Sequence, residues 1–163
     1  CGAGYQNFVE VTGPSKRIDV INKHAGFMKA LQEYGQILPD SHILCADYRL
    51  EQAKEITHKY IDLFQPGTAV FAQNDMIALG VLEALRQSGL RVPDDIVMIG
   101  VDNIAMGQWF HPKLTTVAID YDQIISLTVQ WVLNVTEKQV PKEYRHFLDG
   151  KLIVRDTFIP HKK

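Results

Sequence analysis

Cysteine is scarce in this chain: Cys1 and Cys45 are the only two among 163 residues. That rules out a disulfide framework as the source of stability and makes a reducing compartment, the cytoplasm, the simpler expectation. Charge of one sign is also lacking. Lys and Arg number 17 against 19 Asp and Glu, and a net charge of -2 argues against a nucleic-acid surface, which needs clustered cations to neutralise phosphates. No apolar run approaches the roughly 18 residues that cross a bilayer, and the start has no signal-peptide layout, so no membrane partner is expected. The six histidines, His24, His42, His58, His111, His146 and His161, show no metal-ligand spacing with one another or with cysteine. Gly2, Gly4 and Asn7 imitate a dinucleotide-binding turn with no strand before them, and Gly13-Pro14-Ser15-Lys16 lacks the spacing of a phosphate loop. With no Gly-x-Ser-x-Gly elbow either, no metal, no cofactor and no catalytic residue is expected. The chain reads as a binding protein and not as an enzyme.

What is present is an alternation of period. With 46% hydrophobic and 22% charged residues the chain can support one ordinary core. Residues 69–102 are the most legible stretch. Ala69, Val70, Phe71 and Ala72 form a short apolar run between Pro66-Gly67 and Asn74-Asp75, as a strand buried on both faces should. Ile77, Val81, Leu82 and Leu85 then recur at helical spacing; Asn74 or Asp75 can cap the first turn, and Gly89 stands where a left-handed C-terminal cap belongs. Ile96, Val97, Met98, Ile99 and Val101 read as a second buried strand that stops at Asp102-Asn103. Strand, helix and strand within about 35 residues make a right-handed crossover with parallel strands.

The rest of the chain repeats the theme. Residues 8–11 make a strand ending at Thr12-Gly13-Pro14, and a helix follows with Val20, His24, Phe27, Met28 and Leu31 on one stripe and Gly35 at its end. Residues 43–46 make the next strand, and Ala53, Ile56, Tyr60 and Phe64 line a helix running to Pro66-Gly67. A strand at residues 116–119 precedes a helix that Asp120 can cap and that carries Tyr121, Ile124, Ile125, Thr128, Trp131, Val132 and Val135. Asp149-Gly150, between residues 145–148 and 151–154, predicts a two-residue β-hairpin. The fold class is therefore α/β: a doubly wound, mostly parallel sheet flanked by helices, finished by a C-terminal hairpin.

In open sheets of this kind ligands bind beyond the carboxyl ends of the strands. A sugar-sized ligand offers adjacent hydroxyls and apolar ring faces, so its site needs carboxylates and amides as paired partners and an aromatic face for stacking. Asn74 and Asp102 sit at such strand ends, and Asp47-Tyr48 follows the strand of residues 43–46 at the same edge. Asn74 and Asp75 have a purely structural alternative as helix caps, and Tyr48 one as an exposed strand-end tyrosine.

The same residues carry a family resemblance. Ala69-Val70-Phe71-Ala72-Gln73-Asn74-Asp75-Met76-Ile77-Ala78-Leu79-Gly80, then Gly89-Leu90-Arg91-Val92-Pro93-Asp94-Asp95-Ile96, then Ile99-Gly100-Val101-Asp102-Asn103, resembles the effector-binding core of lactose-repressor (LacI/GalR type) transcription regulators. Thr12-Gly13-Pro14, Gly26-Phe27, Pro112-Lys113-Leu114-Thr115-Thr116-Val117 and Leu152-Ile153-Val154-Arg155-Asp156-Thr157 extend the likeness over nearly the whole chain. The resemblance implies a small-molecule effector, a sugar or sugar phosphate, held between two similar periplasmic-binding-protein-like lobes. It also implies a homodimer, and operator DNA bound only through a separate helix-turn-helix module that this chain lacks. Residues 1–163 would be one lobe of the pair, with about 119–143 crossing to the other lobe, whose strands are absent. The helix there is expected to fold back on the sheet or to drive self-association. By the same resemblance Asn74 and Asp102 match effector-contacting positions and Tyr48 an aromatic contact. Lys23 replaces an Arg that reaches the cleft; a point charge stands there instead of a planar fork, or else a solvated helix lysine. Tyr121 falls where an aromatic covers the ligand from the opposite lobe, although core packing along its own helix is the simpler expectation. A periplasmic sugar-binding protein of related fold is the alternative reading. Cys1-Gly2 fits the lipid-bearing end of a bacterial lipoprotein, but a boundary imposed on a longer chain is simpler.

Overall fold

The short apolar runs become parallel strands, and the segments of helical period become the connections between them. The computed structural model describes residues 5–136 and 146–158. Its elements in chain order are β1 (Asn7–Thr12), α1 (Ile18–Glu33), β2 (Ile43–Cys45), α2 (Leu50–Lys59), β3 (Thr68–Ala72), α3 (Asp75–Gln87), β4 (Ile96–Val101), β5 (Thr116–Ala118), α4 (Tyr121–Thr136) and β6 (Lys151–Ile153). The sheet order is β2-β1-β3-β4-β5-β6; all neighbours are parallel except β5 and β6. The chain leaves β1 in one direction for β2 and in the other for β3, so the topology switches between β1 and β3. Because crossovers are right-handed, α1 covers one face of the sheet and α2 and α3 the other.

The period of two in each strand divides the core accordingly. Phe8, Ile43 and Ala69 point to the α1 side, where Leu31 and Leu38 are buried with Phe27 and Met28 against them. Val9, Val11, Leu44, Val70 and Ala72 point to the other side and meet Ala53, Ile77, Val81 and Leu85. The predicted cap holds: Asn74 Oδ1 accepts from Ile77 N at 2.8 Å.

Three expectations need correction. The helix of residues 50–59 stops at Lys59, and a separate tight turn, Ile61–Leu63, delivers Phe64 to the core instead of a continuous helical stripe. The C-terminal hairpin does not form among the described residues. Residues 146–150 carry no strand, and β6 pairs antiparallel with β5, Val117 opposite Leu152. A two-residue hairpin turn needs a positive φ that neither Asp149 nor Gly150 has. Gly150 serves a close approach instead, since a Cβ there would stand 2.6 Å from Val117 Cγ1. Arg145, at the start of the expected first hairpin strand, lies outside the described residues, as do Cys1, Gly2, Gly4 and His161. Lastly, of the two outcomes expected for α4, folding back on the sheet or self-association, the first does not occur. Asp120 caps it as expected, accepting from Gln123 N at 2.9 Å, but none of its residues is buried.

Candidate functional site

Parallel strands deliver their carboxyl ends to one edge, and the loops that leave it bring together residues far apart in sequence. The turn after β1 leads to Arg17, Asp19 and Lys23; Tyr48 follows β2, Asn74 follows β3, Asp102 follows β4 and Tyr121 follows β5. The β1/β3 switch places this group at the position where doubly wound sheets open a crevice. Backbone strain is concentrated there. The non-glycine residues with positive φ among those described are Tyr48 (57°), Asp102 (112°) and Asn103 (55°), each just past a strand end. Such conformations cost about 1 to 3 kcal/mol each and persist where the surroundings impose them, commonly at binding sites.

Asp19 is the hub of one half. It accepts from Tyr48 Oη at 2.5 Å and Arg17 Nε at 2.9 Å, and Lys23 Nζ stands 3.6 Å away. These donors, the Tyr48 hydroxyl first, hold the Asp19 carboxyl below its ordinary range, while burial and then Asp19 push the Tyr48 phenol up to about 12. Of these contacts the Arg17–Asp19 pair is exposed and of the kind worth about 1 kcal/mol or less. Sequence reasoning missed Arg17 and Asp19. Their signal was faint: an acidic residue in the first turn of α1.

Lys23 is not a solvated lysine. It is half-buried, donates to the carbonyl of Gln73 at 3.1 Å and lies 5.9 Å from the centre of the Tyr48 ring. Arg17 stands 5.5 Å from the same centre and Gly13 lies against the ring, so Tyr48 presents a hydroxyl more than a free stacking face. The distribution of roles at 74–75 is clear. Asn74 caps α3 through Oδ1 and keeps its amide nitrogen for another partner, whereas Asp75 is buried and accepts from Thr116 Oγ1 at 2.7 Å and Ile104 N at 2.9 Å. Asp75 therefore ties the ends of β4 and β5 and is not free for a ligand.

Asp102 is different. It is half-buried, its side chain has no hydrogen-bond partner among the described residues, and burial raises its carboxyl pKa, with Lys23 opposing and Asp75 and Asp19 reinforcing the rise. Tyr121 belongs to the same neighbourhood, its phenol raised by burial and then by Asp102 and Asp75. It is 53% exposed, which overturns the expectation of core packing. Asp47 is not drawn into the cluster: it is exposed, lies 4.0 Å from Arg49, and its backbone N–H donates to Gln52 Oε1. A cavity of about 610 Å³ lies elsewhere, beside Trp109, His111 and Arg155. Among the described residues no group of three or more His, Cys, Asp or Glu is placed to hold a metal ion.

Residues 2–158 match the periplasmic binding protein-like domain. The chain is 30% identical over 154 residues to the HTH-type transcriptional repressor CytR of Escherichia coli (strain K12), covering 94% of this chain and 45% of that protein. The solved structure of a sugar-binding LacI-family transcriptional regulator from Escherichia coli complexed with phosphate superposes with a TM-score of 0.85 at 27% identity, over 97% of this chain and 56% of the other. The lac repressor dimer bound to operator and the anti-inducer ONPF gives a TM-score of 0.86 at 26% identity, over 95% and 53%. The chain spans less than half the length of the curated relatives it matches. It belongs to the periplasmic binding protein-like domain family, in the branch that LacI-family transcription regulators carry.

Proposed function

We propose that this chain is the effector-sensing lobe of a cytoplasmic LacI-type transcription regulator, and that the rim at the carboxyl ends of β1 to β5 takes a sugar or related polar metabolite. The observation that carries the reading is Asp102: a half-buried carboxylate on a strained backbone, in the field of Lys23, with no hydrogen-bond partner for its side chain among the described residues. A half-buried carboxylate with unused lone pairs gains from added donors, and paired sugar hydroxyls supply them. Residues 119–143 would cross to a second lobe that closes over the rim, which the uncovered α4 supports. Effector binding would then shift the balance between open and closed lobes and change operator affinity by linkage, through a helix-turn-helix module outside this chain. The likeness to a lac repressor dimer supports a homodimer. Similarity to transcriptional repressors favours this role over uptake in the periplasm.

The test is titration calorimetry on the intact regulator with a panel of neutral pentoses, hexoses and disaccharides and their phosphate esters. At least one is expected to bind, and Asp102→Ala to weaken it by about tenfold or more, near 1.4 kcal/mol. Unchanged affinity would remove Asp102 from the site; no binding by any member of the panel would overturn the sugar reading.

A further inference from the structure

Behind the rim, on the α1 side of the sheet, β1 carries a carboxylate where packing alone calls for an apolar residue. Glu10 is 0% exposed, with fully buried Val9 and Val11 on either side of it. Burying such a group costs several kcal/mol unless its oxygens are satisfied, and here both are. Oε2 lies 2.6 Å from His24 Nδ1; a carboxylate accepts, so Nδ1 carries the hydrogen. Oε1 accepts from Gln73 Nε2 at 2.7 Å. One carboxylate thus joins three elements: its own strand, helix α1 through His24, and the turn between β3 and α3 through Gln73. Gln73 closes the circuit, because its side-chain amide also reaches the carbonyl of Val20 in α1 at 3.3 Å while its backbone carbonyl receives Lys23 Nζ. Gln73 Oε1 is buried with no partner among the described residues, so the amide is held in this orientation by what its nitrogen donates to.

We propose that Glu10 is a positioning residue for Lys23. It fixes α1 against the β3–α3 turn, so that the Lys23 ammonium is held between the Gln73 carbonyl and Asp19, in the field of Asp102. The inference deepens the sugar-sensing reading and rests on it for its importance, but its geometry stands without an effector. Lys23 and His24 are adjacent on α1, and Gln73 and Asn74 are adjacent at the tip of β3, so a shift of either contact is passed directly to a rim residue.

The test is competitive acetylation of the 163-residue chain with acetic anhydride, reading Lys23 against the exposed Lys29 of the same helix by mass spectrometry. In Glu10→Leu the ratio is expected to rise about threefold or more, the change that losing one hydrogen bond of ordinary strength brings. Glu10→Gln keeps an acceptor for the Gln73 amide and is expected to return the ratio towards that of the unaltered chain. A melting temperature lowered in Glu10→Leu with an unchanged Lys23 ratio would overturn the proposal and leave Glu10 a purely structural residue. If Glu10→Leu does not fold, Gln73→Leu cuts the same link and keeps the carbonyl that Lys23 meets; an unchanged ratio there overturns the proposal equally. Labelling needs no effector, so its result and that of the sugar titration fail independently.

Discussion

At Asp102 stability and the proposed binding role pull in opposite directions. Its carboxyl pKa is raised above the ordinary value of 3.8, chiefly by burial. Between that value and the raised one the folded chain binds more protons than the unfolded chain, so the stability this group contributes is complete below 3.8 and is lost as pH rises through the folded pKa. Asp102→Asn keeps the shape, tolerates positive φ and removes the charge. The variant is expected to melt higher than the parent at pH 7, by on the order of 2 °C, with the gap closing as pH falls towards 3.8, in paired thermal scans across pH. Asp75 carries the same direction of shift for the same first cause, yet its replacement should act oppositely. Asp75→Ala strands the Thr116 hydroxyl and the Ile104 N–H, and should cost about 2 to 3 kcal/mol in urea denaturation at neutral pH. Two neighbouring carboxylates are thus separated by what they hold: Asp75 anchors the rim, and Asp102 is the one proposed to bind.

Elements pack where their residues let backbones approach. Gly80 in α3 faces α2 so closely that a Cβ would meet the Ala53 Cβ at 2.7 Å and the Leu50 carbonyl closer still. Gly80→Ala gains about 1 kcal/mol of helix propensity but overpacks a well-filled interface at about 1 to 3 kcal/mol, so a net loss of about 1 kcal/mol is expected in urea denaturation, against the propensity scale. The strands, the first three helices and their shared edge were legible because their signals are local: runs of four to six apolar residues, Asn74 before a helical stripe, Gly89 after it. What failed to read depended on distance. Asp149-Gly150 reads as a turn, but β6 finds its partner in β5, some thirty-five residues back, and its backbone never takes the turn conformation. Arg17 and Asp19 joined the site only because Tyr48, 29 residues beyond Asp19, donates to it. Glu10 interrupts an apolar strand in a way that no pattern distinguishes from an exposed edge, and its partners His24 and Gln73 are 14 and 63 residues away.

At the scale of the whole molecule, α4 is the unbalanced part. Apolar period reads the same whether the partner lies in this chain or outside it, so the period alone predicts the helix and not what covers it. Its sixteen residues carry one charge, Asp122, and expose Ile124, Ile125, Val129, Trp131, Val132, Leu133 and Val135. A helix of that length is marginal on its own, more so when rich in Ile, Val and Thr, so its order needs a covering surface. Leaving a large apolar side chain in water forgoes about 1.5 to 3 kcal/mol, and Ile124, Leu127, Thr128 and Trp131 meet His146 and Leu148 around a cavity of about 300 Å³ that can receive another apolar group. By itself the 163-residue chain should therefore self-associate, seen as a sedimentation coefficient that rises with concentration. Ile124→Glu with Trp131→Glu should abolish this and, at concentrations where the parent chain is monomeric, leave the unfolding free energy in urea unchanged to within about 0.5 kcal/mol, because neither side chain is buried in the core. In an intact regulator the same pair would set two carboxylates against the second lobe and cost several kcal/mol. A chain that stays monomeric at all concentrations, with the amides of α4 protected from hydrogen exchange, would mean that the helix needs no partner and that the assignment of residues 119–143 to a second lobe is wrong.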